Sequence, residues 1–195
     1  MAFVLGISGK RGSGKSLLCD PYLKMRGFQV FSFADPLKED VRKAYGLTKE
    51  HTDGKLKELP CDKLGGLTPR EAMIAEGEIR RRFSTNGLYW VKKLFEEKIK
   101  FLRKEDWVVI SDVRFKNEAN YIKQNGGTLI RLERSKALNI YKNEISDPSE
   151  EELDSYNFNI TLPEEKNATP QDLELFSDTI RTYVLNSIND SSFIY

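Results

Sequence analysis

Eight consecutive residues carry the strongest chemical signal in this chain. Gly9-Lys10-Arg11-Gly12-Ser13-Gly14-Lys15-Ser16 fits G-x-x-x-x-G-K-[ST] at every fixed position. The motif follows a short apolar run and opens a helical pattern, which is the context it requires. Glycines let successive backbone N–H groups turn inward onto phosphate oxygens, and a helix N-terminus adds partial positive charge. On this reading Gly9, Gly12, Ser13 and Gly14 form the cradle for a nucleoside triphosphate. Lys15 reaches the β- and γ-phosphates, and the Ser16 hydroxyl ligates Mg²⁺. Lys10 and Arg11 put further charge into the loop, where they are either solvated or turned toward the phosphate of an acceptor.

A second set of charged residues lies further along. Asp112 ends the apolar run that starts at Trp107. That is the place for a magnesium-orienting acid, or for a cap of the helix that follows Phe115. Arg114, two residues on, would stand beside the phosphates. Asp35 follows a second strand and either binds an acceptor or caps the helix beginning at Pro36. Lys38 sits in that helix's first turn, against the dipole, and so points to a bound anion. One arginine of Arg80-Arg81-Arg82 suits a substrate phosphate through its bidentate fork, while at least one of the others is solvated. Trp90, beside Tyr89, either stacks on a base or packs in a core. Arg131 and Arg134 flank the end of a fourth strand. They would serve a lid over the phosphates, or pair with Glu133 at the surface.

These residues need a scaffold, and the hydrophobic pattern supplies one. Phe3–Ser8 reads as a buried strand. A helix runs from Gly14 toward Met25, with a kink or early break expected at Pro21. Residues 27–33 alternate as a strand, and Pro36–Tyr45 is a helix closed by Gly46. His51–Gly66 reads as a polar, aperiodic loop. Thr68-Pro69-Arg70-Glu71 is a helix start with a capping box. A longer helix is expected over 85–103, and a strand over 107–112. Phe115–Asn125 is a helix, Thr128–Leu132 a strand and Phe158–Leu162 a weaker last strand. Thr169 opens a final helix with a buried stripe of Leu173, Phe176, Ile180, Tyr183, Val184 and Ile188. Alternating strands and helices predict an α/β fold: a three-layer sandwich around a mainly parallel five-stranded sheet, with the strand at Phe3 central.

Composition narrows the function classes. The chain has 195 residues, 39% of them hydrophobic, enough for one domain. Lys+Arg 31 against Asp+Glu 30 leaves a formal net charge of +1. No bulk charge therefore argues for a nucleic acid or an anionic membrane. The start lacks the character of a signal peptide, and no apolar run approaches the ~20 residues of a membrane span. Cys19 and Cys61 have no metal-ligand spacing and read as reduced thiols of a cytoplasmic protein (host cytoplasm if viral). His51, the single histidine, lies in a polar stretch, which argues against histidine catalysis or a zinc site.

Several blocks together resemble the phage-type deoxynucleoside monophosphate kinases, a branch of the P-loop nucleoside monophosphate kinases. They are Phe33-Ala34-Asp35-Pro36-Leu37-Lys38, Thr68-Pro69-Arg70-Glu71-Ala72 and Gly77…Arg82…Trp90-Val91. The most specific stretch runs from Ser111-Asp112-Val113-Arg114-Phe115 through Gly126-Gly127 to Arg131-Leu132-Glu133-Arg134. Ser149-Glu150 before Leu153 resembles the family's late serine–glutamate element. The resemblance implies a P-loop NTPase fold in one domain. It also implies a helical monophosphate-binding insertion at about 48–90 and a lid at about 134–156. ATP with Mg²⁺ would be the donor, and Lys15, Arg114 and Arg134 the catalytic cations. Ser16 and Asp112 would serve the metal. Asp35, Lys38, Arg70, Arg82, Trp90 and Arg114 would serve the acceptor, with Arg82 singled out by its spacing from Gly77 and Trp90. Partners would be small nucleotides, with a homodimer left open. Two departures stand out. Ser16-Leu17 follows the loop lysine where many relatives carry Asp-Thr, and Thr161-Leu162-Pro163 lacks an Asn-rich turn.

An acceptor monophosphate arrives already ionised, so it needs positioning and charge neutralisation rather than a strong base. The many arginines and the lack of histidine catalysis suit that. A kinase for a hydroxyl acceptor, such as a nucleoside or dephospho-coenzyme A, would need a carboxylate base, and Asp35 is the candidate. A GTPase switch would want an Asn-Lys-x-Asp element, which the chain lacks. A non-catalytic nucleotide-binding module is the remaining reading.

Overall fold

The computed structural model describes residues 2–133, 151–162 and 169–191, with side chains described as far as Ser187. The chain divides into two compact units. One comprises residues 1–31 and 102–195, the other residues 32–101.

The first unit is built on a parallel sheet. Its strands are β1 (Phe3–Ser8), β2 (Phe28–Phe31), β3 (Trp107–Ile110), β4 (Thr128–Leu132) and β5 (Ile160–Leu162). Their order is β2-β3-β1-β4-β5, and every pairing is parallel. The strand at Phe3 is thus central, as the apolar run predicts. β1 is almost wholly buried, because a parallel strand is covered on both faces.

One face carries Leu5, Ile7, Val109 and Ile130 against Leu18, Cys19 and Leu23 and against Leu173, Ile180 and Val184. The latter three lie on α7 (Pro170–Ser191), the last helix. The opposite face is covered by α6 (Lys116–Gln124), whose Ile122 side chain lies over Gly6. The start of α7 is fixed by Thr169, whose hydroxyl accepts the Asp172 N–H while Asp172 takes the Thr169 N–H in return.

The helix after the loop runs to Met25 as expected, but Pro21 widens it rather than kinking or ending it. α1 (Lys15–Leu17) lasts three residues and widens into a π-helical segment, Leu18–Leu23, that contains Pro21. Proline lacks an N–H and crowds the preceding turn. Here the chain absorbs it by widening, and the Lys24 N–H reaches the Cys19 carbonyl. Cys19 is buried in this layer, and burial, assisted by Asp20, pushes its thiol up to about 12.

The second unit is helical: α2 (Ala34–Tyr45), α3 (Lys49–Thr52), α4 (Pro69–Arg82) and α5 (Tyr89–Glu97). Its core gathers Val41, Leu47, Leu64, Ala72 and Met73, with Leu37 and the half-buried Cys61 against them. α4 begins as predicted. The Thr68 hydroxyl accepts the Glu71 N–H at 3.2 Å, and Glu71 accepts the Thr68 N–H at 2.8 Å.

Two expectations fail here. Residues 51–66 are not an aperiodic loop but a run of short turns, with 3₁₀ segments at Lys55–Glu58 and Asp62–Leu64. The helix expected over 85–103 is shorter. Asn86 and Gly87 take positive φ before it, and a separate turn, Ile99–Phe101, follows it.

Candidate active site

The loop after β1 has the backbone that phosphate binding needs. Gly12 and Gly14 stand at φ 78° and 92°, in the left-handed region where a side chain would be strained. Gly14 immediately precedes α1, so Lys15 is the first helical residue. The Ser13 N–H returns to the Lys10 carbonyl at 3.0 Å, and Ser13 is buried under the loop. The Lys15 ammonium lies within the loop. It donates to the carbonyls of Gly9 and of Lys10, the latter at 2.9 Å. Ser16 is exposed beside it, as is Arg11.

Gly9 is needed for space rather than for φ. A Cβ there would stand 2.6 Å from the Leu132 carbonyl oxygen and 2.6 Å from Ser13 Oγ. Gly9→Ala should therefore displace the loop from the end of β4. We expect ATP affinity, measured by calorimetry, to fall at least about tenfold, since loss of one or two charge-assisted bonds costs that much. Unchanged affinity would show that the loop tolerates a different path.

Asp112 lies on the same sheet edge. β1 and β3 are parallel, and the Val113 N–H donates to the Ile7 carbonyl at 3.2 Å. Asp112 thus runs alongside Ser8 at the carboxyl ends of the strands, where ligands of α/β sheets gather. Among the described residues there is no group of three or more His, Cys, Asp or Glu able to hold a metal. Magnesium asks for less from the protein, usually one or two carboxylates with water and substrate phosphates completing the shell. The Ser16 hydroxyl and the Asp112 carboxylate fit that demand. The N-cap position of α6 is Phe115, three residues beyond Asp112.

Glu118 Oε2 accepts the N–H groups of Arg114 and Phe115 at 2.8 and 3.0 Å. The residue keeps some exposed surface, but its carboxyl group is enclosed. Burial first, and the negative Asp112 second, push the Glu118 carboxyl up to about 8. Glu118 so braces the turn carrying both Asp112 and Arg114.

Arg131 does not pair with Glu133 at the surface; its carboxylate partner among the described residues is Asp154. The arginine is buried at the end of β4, directly opposite Ser8 in the register. Its Nη1 donates to Ser8 Oγ at 3.0 Å and its Nη2 to Asp154 at 2.6 Å. Asp154 also accepts Lys10 Nζ at 2.7 Å. Arg134 and the Ser149-Glu150 element lie outside the described residues, as does most of the expected lid.

In the second unit Asp35 lies in the first turn of α2 and accepts the Ser32 N–H at 2.7 Å. Lys38 pairs with Asp53 at 2.6 Å, and Arg42 joins the same carboxylate at 3.4 Å. Arg70 pairs with Glu58 at 2.6 Å. Arg82 is 73% exposed and bonded to Glu78 at 2.8 Å. Arg81 shares that glutamate, and Arg80 takes Glu76. Trp90 is buried, with its indole N–H on the Gly77 carbonyl at 3.2 Å. It packs in the core of its unit, and its neighbour Tyr89 stands edge-on to it.

Lys57 is a feature that the sequence reading does not single out. It is half-buried and makes no side-chain hydrogen bond or ion pair among the described residues. Burial, then the neighbouring charges of Arg70 and Lys38, hold its ammonium below the usual lysine range. In the sequence it is one lysine among several in a polar stretch, so no local signal marks it.

A parallel sheet with this loop at its central strand defines the P-loop nucleoside triphosphatase fold. The shikimate kinase of Bacteroides thetaiotaomicron shares the fold, with a TM-score of 0.50 at 11% identity, over 93% of this chain and 98% of that one. A protein of Acanthamoeba polyphaga mimivirus, provisionally named a deoxynucleotide monophosphate kinase, is 35% identical over 144 residues. The match covers 67% of this chain and 74% of that protein. The chain belongs to the deoxynucleoside monophosphate kinase family and is a nucleotide kinase. An uncharacterised protein, ORF76 of Ictalurid herpesvirus 1 (strain Auburn), is 26% identical over 78% of the chain, which spans 57% of that protein's length. No protein-family profile matches. Among the described residues no helix is long and apolar enough to cross a membrane.

Proposed function

We propose that this nucleotide kinase transfers the γ-phosphoryl group of ATP to a deoxynucleoside monophosphate. The carrying observation is the loop Gly9–Ser16, with Lys15 at the first helical residue and Asp112 on the same strand edge. Lys15 would move from its own loop carbonyls to the β- and γ-phosphates, and the loop N–H groups would hold the remaining oxygens. Magnesium, when bound through Ser16 and Asp112, supplies neutralisation of charge between the transferring phosphates. Arg114 and Arg134 would offset the charge that develops on the transferring group.

The second unit supplies the acceptor residues on this reading. Lys38, Lys57, Arg70 and Arg82 are its candidate phosphate ligands, and Asp35 a candidate for the sugar or base. Trp90 supports their helices from inside. Burial is the main cost on the Lys57 charge; Arg70 and Lys38 add to it, Glu58 and Asp53 offset part of it, and a bound anion would relieve the rest. Lys57→Met or Arg70→Ala should therefore raise the monophosphate KM about tenfold or more, with the ATP KM largely unchanged. Equal effects on both substrates would remove these residues from the acceptor site.

ADP release measured with a panel of monophosphates, nucleosides and dephospho-coenzyme A tests the whole proposal. Preference for a hydroxyl acceptor would overturn it and make Asp35 the candidate base. Turnover with none of them would favour a binding module.

A further inference from the structure

One carboxylate in the first unit has no place in the chemistry above, yet it touches the phosphate loop directly. Asp154 holds Lys10 Nζ at 2.7 Å through one oxygen and Arg131 Nη2 at 2.6 Å through the other. Arg131 in turn holds Ser8, the residue before Gly9. The backbone of Lys10 matters as much as its side chain. Its carbonyl accepts both the Ser13 N–H and the Lys15 ammonium. Asp154 therefore grips the loop at the residue on which Lys15 rests. The segment that carries Asp154 is anchored separately, since Glu152 accepts the Lys116 N–H at 2.8 Å and Tyr156 donates to Asn120 at 2.8 Å.

We propose that Asp154 is a positioning residue for the donor site: an internal anion that holds Lys10 against the loop and yields it to an incoming triphosphate. Arg131 is buried and has Asp154 as its carboxylate partner among the described residues, so that half of the bridge is permanent. The Lys10 half is partly exposed, 26% for the lysine and 41% for the aspartate. Such a pair is weak enough to exchange when a polyphosphate offers a higher charge. Exchange frees the side chain of Lys10 for the phosphates and loosens the carbonyl rest of Lys15 in the same event. Occupancy of the donor site is thus linked to the stretch around Glu152, Asp154 and Tyr156.

The inference rests on ATP being the donor, and the test separates the two claims. ATP binding is measured by calorimetry for the wild type, Asp154→Asn, Lys10→Met and the double variant. Asn keeps the shape of Asp and can still accept from Arg131. The expected result is tighter ATP binding in Asp154→Asn, by about threefold or more, with the gain reduced to less than about twofold in the Lys10→Met background. The same gain in both backgrounds would reduce Asp154 to a general repulsive charge and overturn the proposal. Unchanged or weaker binding in Asp154→Asn would overturn it as well. Should Asp154→Asn fail to fold, the comparison is made with Arg131→Met added, which removes the buried charge together with its partner. A wild type that binds no ATP would defeat the donor assignment, and the latch with it. ATP binding without coupling between positions 10 and 154 would defeat the latch alone.

Discussion

Replacing Lys15 with alanine slows phosphoryl transfer at least about 100-fold and leaves the fold intact. The side chain is poised rather than buried. It follows Gly14, whose left-handed conformation aims the first helical residue into the loop. Its ammonium rests on the carbonyls of Gly9 and Lys10, with Ser13 Oγ at 3.4 Å. Nothing in the hydrophobic layers depends on it, so its loss costs little stability. Its loss to catalysis is large, because a fixed charge is removed where negative charge must be shared between leaving and transferring groups. A deficit of 100-fold corresponds to about 2.7 kcal/mol of barrier. The check is kcat at saturating ATP, with circular dichroism to confirm the fold. Near-normal turnover would mean that chemistry happens elsewhere.

The second large effect concerns stability and pH. The Glu118 carboxyl is held at about 8 by burial and by Asp112, from an ordinary 4.5. Between those values the folded protein keeps a proton that the unfolded chain has released. Stability then falls as pH rises from about 4.5 to about 8, and levels off above. A difference of this size corresponds to roughly a few kcal/mol across the window. Glu118→Gln keeps an oxygen for the Arg114 and Phe115 N–H groups but has no proton to lose. In magnesium-free buffer the variant should show a flatter urea midpoint across that window. At pH 9 it should be more stable than the wild type by an amount of the same order. Parallel pH curves for the two proteins would show that Glu118 is charged in the folded state.

The phosphate loop was legible because a fixed spacing encodes a backbone shape, and the glycines at 12 and 14 take the conformations their type permits. The central place of β1 was legible from an unbroken apolar run, and the starts of α4 and α7 from their capping residues. Other features left no local trace. Asp154 meets Lys10 across 144 positions and Arg131 across 23, so no periodicity announces them. Arg131 looks like a surface charge in sequence, and only the register opposite Ser8 turns it inward. The short turns of residues 49–64 are held by side-chain partners such as Arg42 on Thr52, at 2.7 Å. Propensity alone does not form them. Glu118 was legible as part of a family block, but its enclosure depends on the turn that it braces.

The two thiols described above differ in burial. With its thiol pushed up to about 12 inside the core, Cys19 is thiolate in well under about one molecule in a thousand near neutral pH. An alkylating dye or spin label needs the thiolate and a path to it, and Cys61 in the helical unit is the partly open one. The natural protein therefore offers a single derivatisable position, remote in sequence from the phosphate loop. A spectroscopic reporter attached there follows the helical unit without any cysteine having to be engineered in or out.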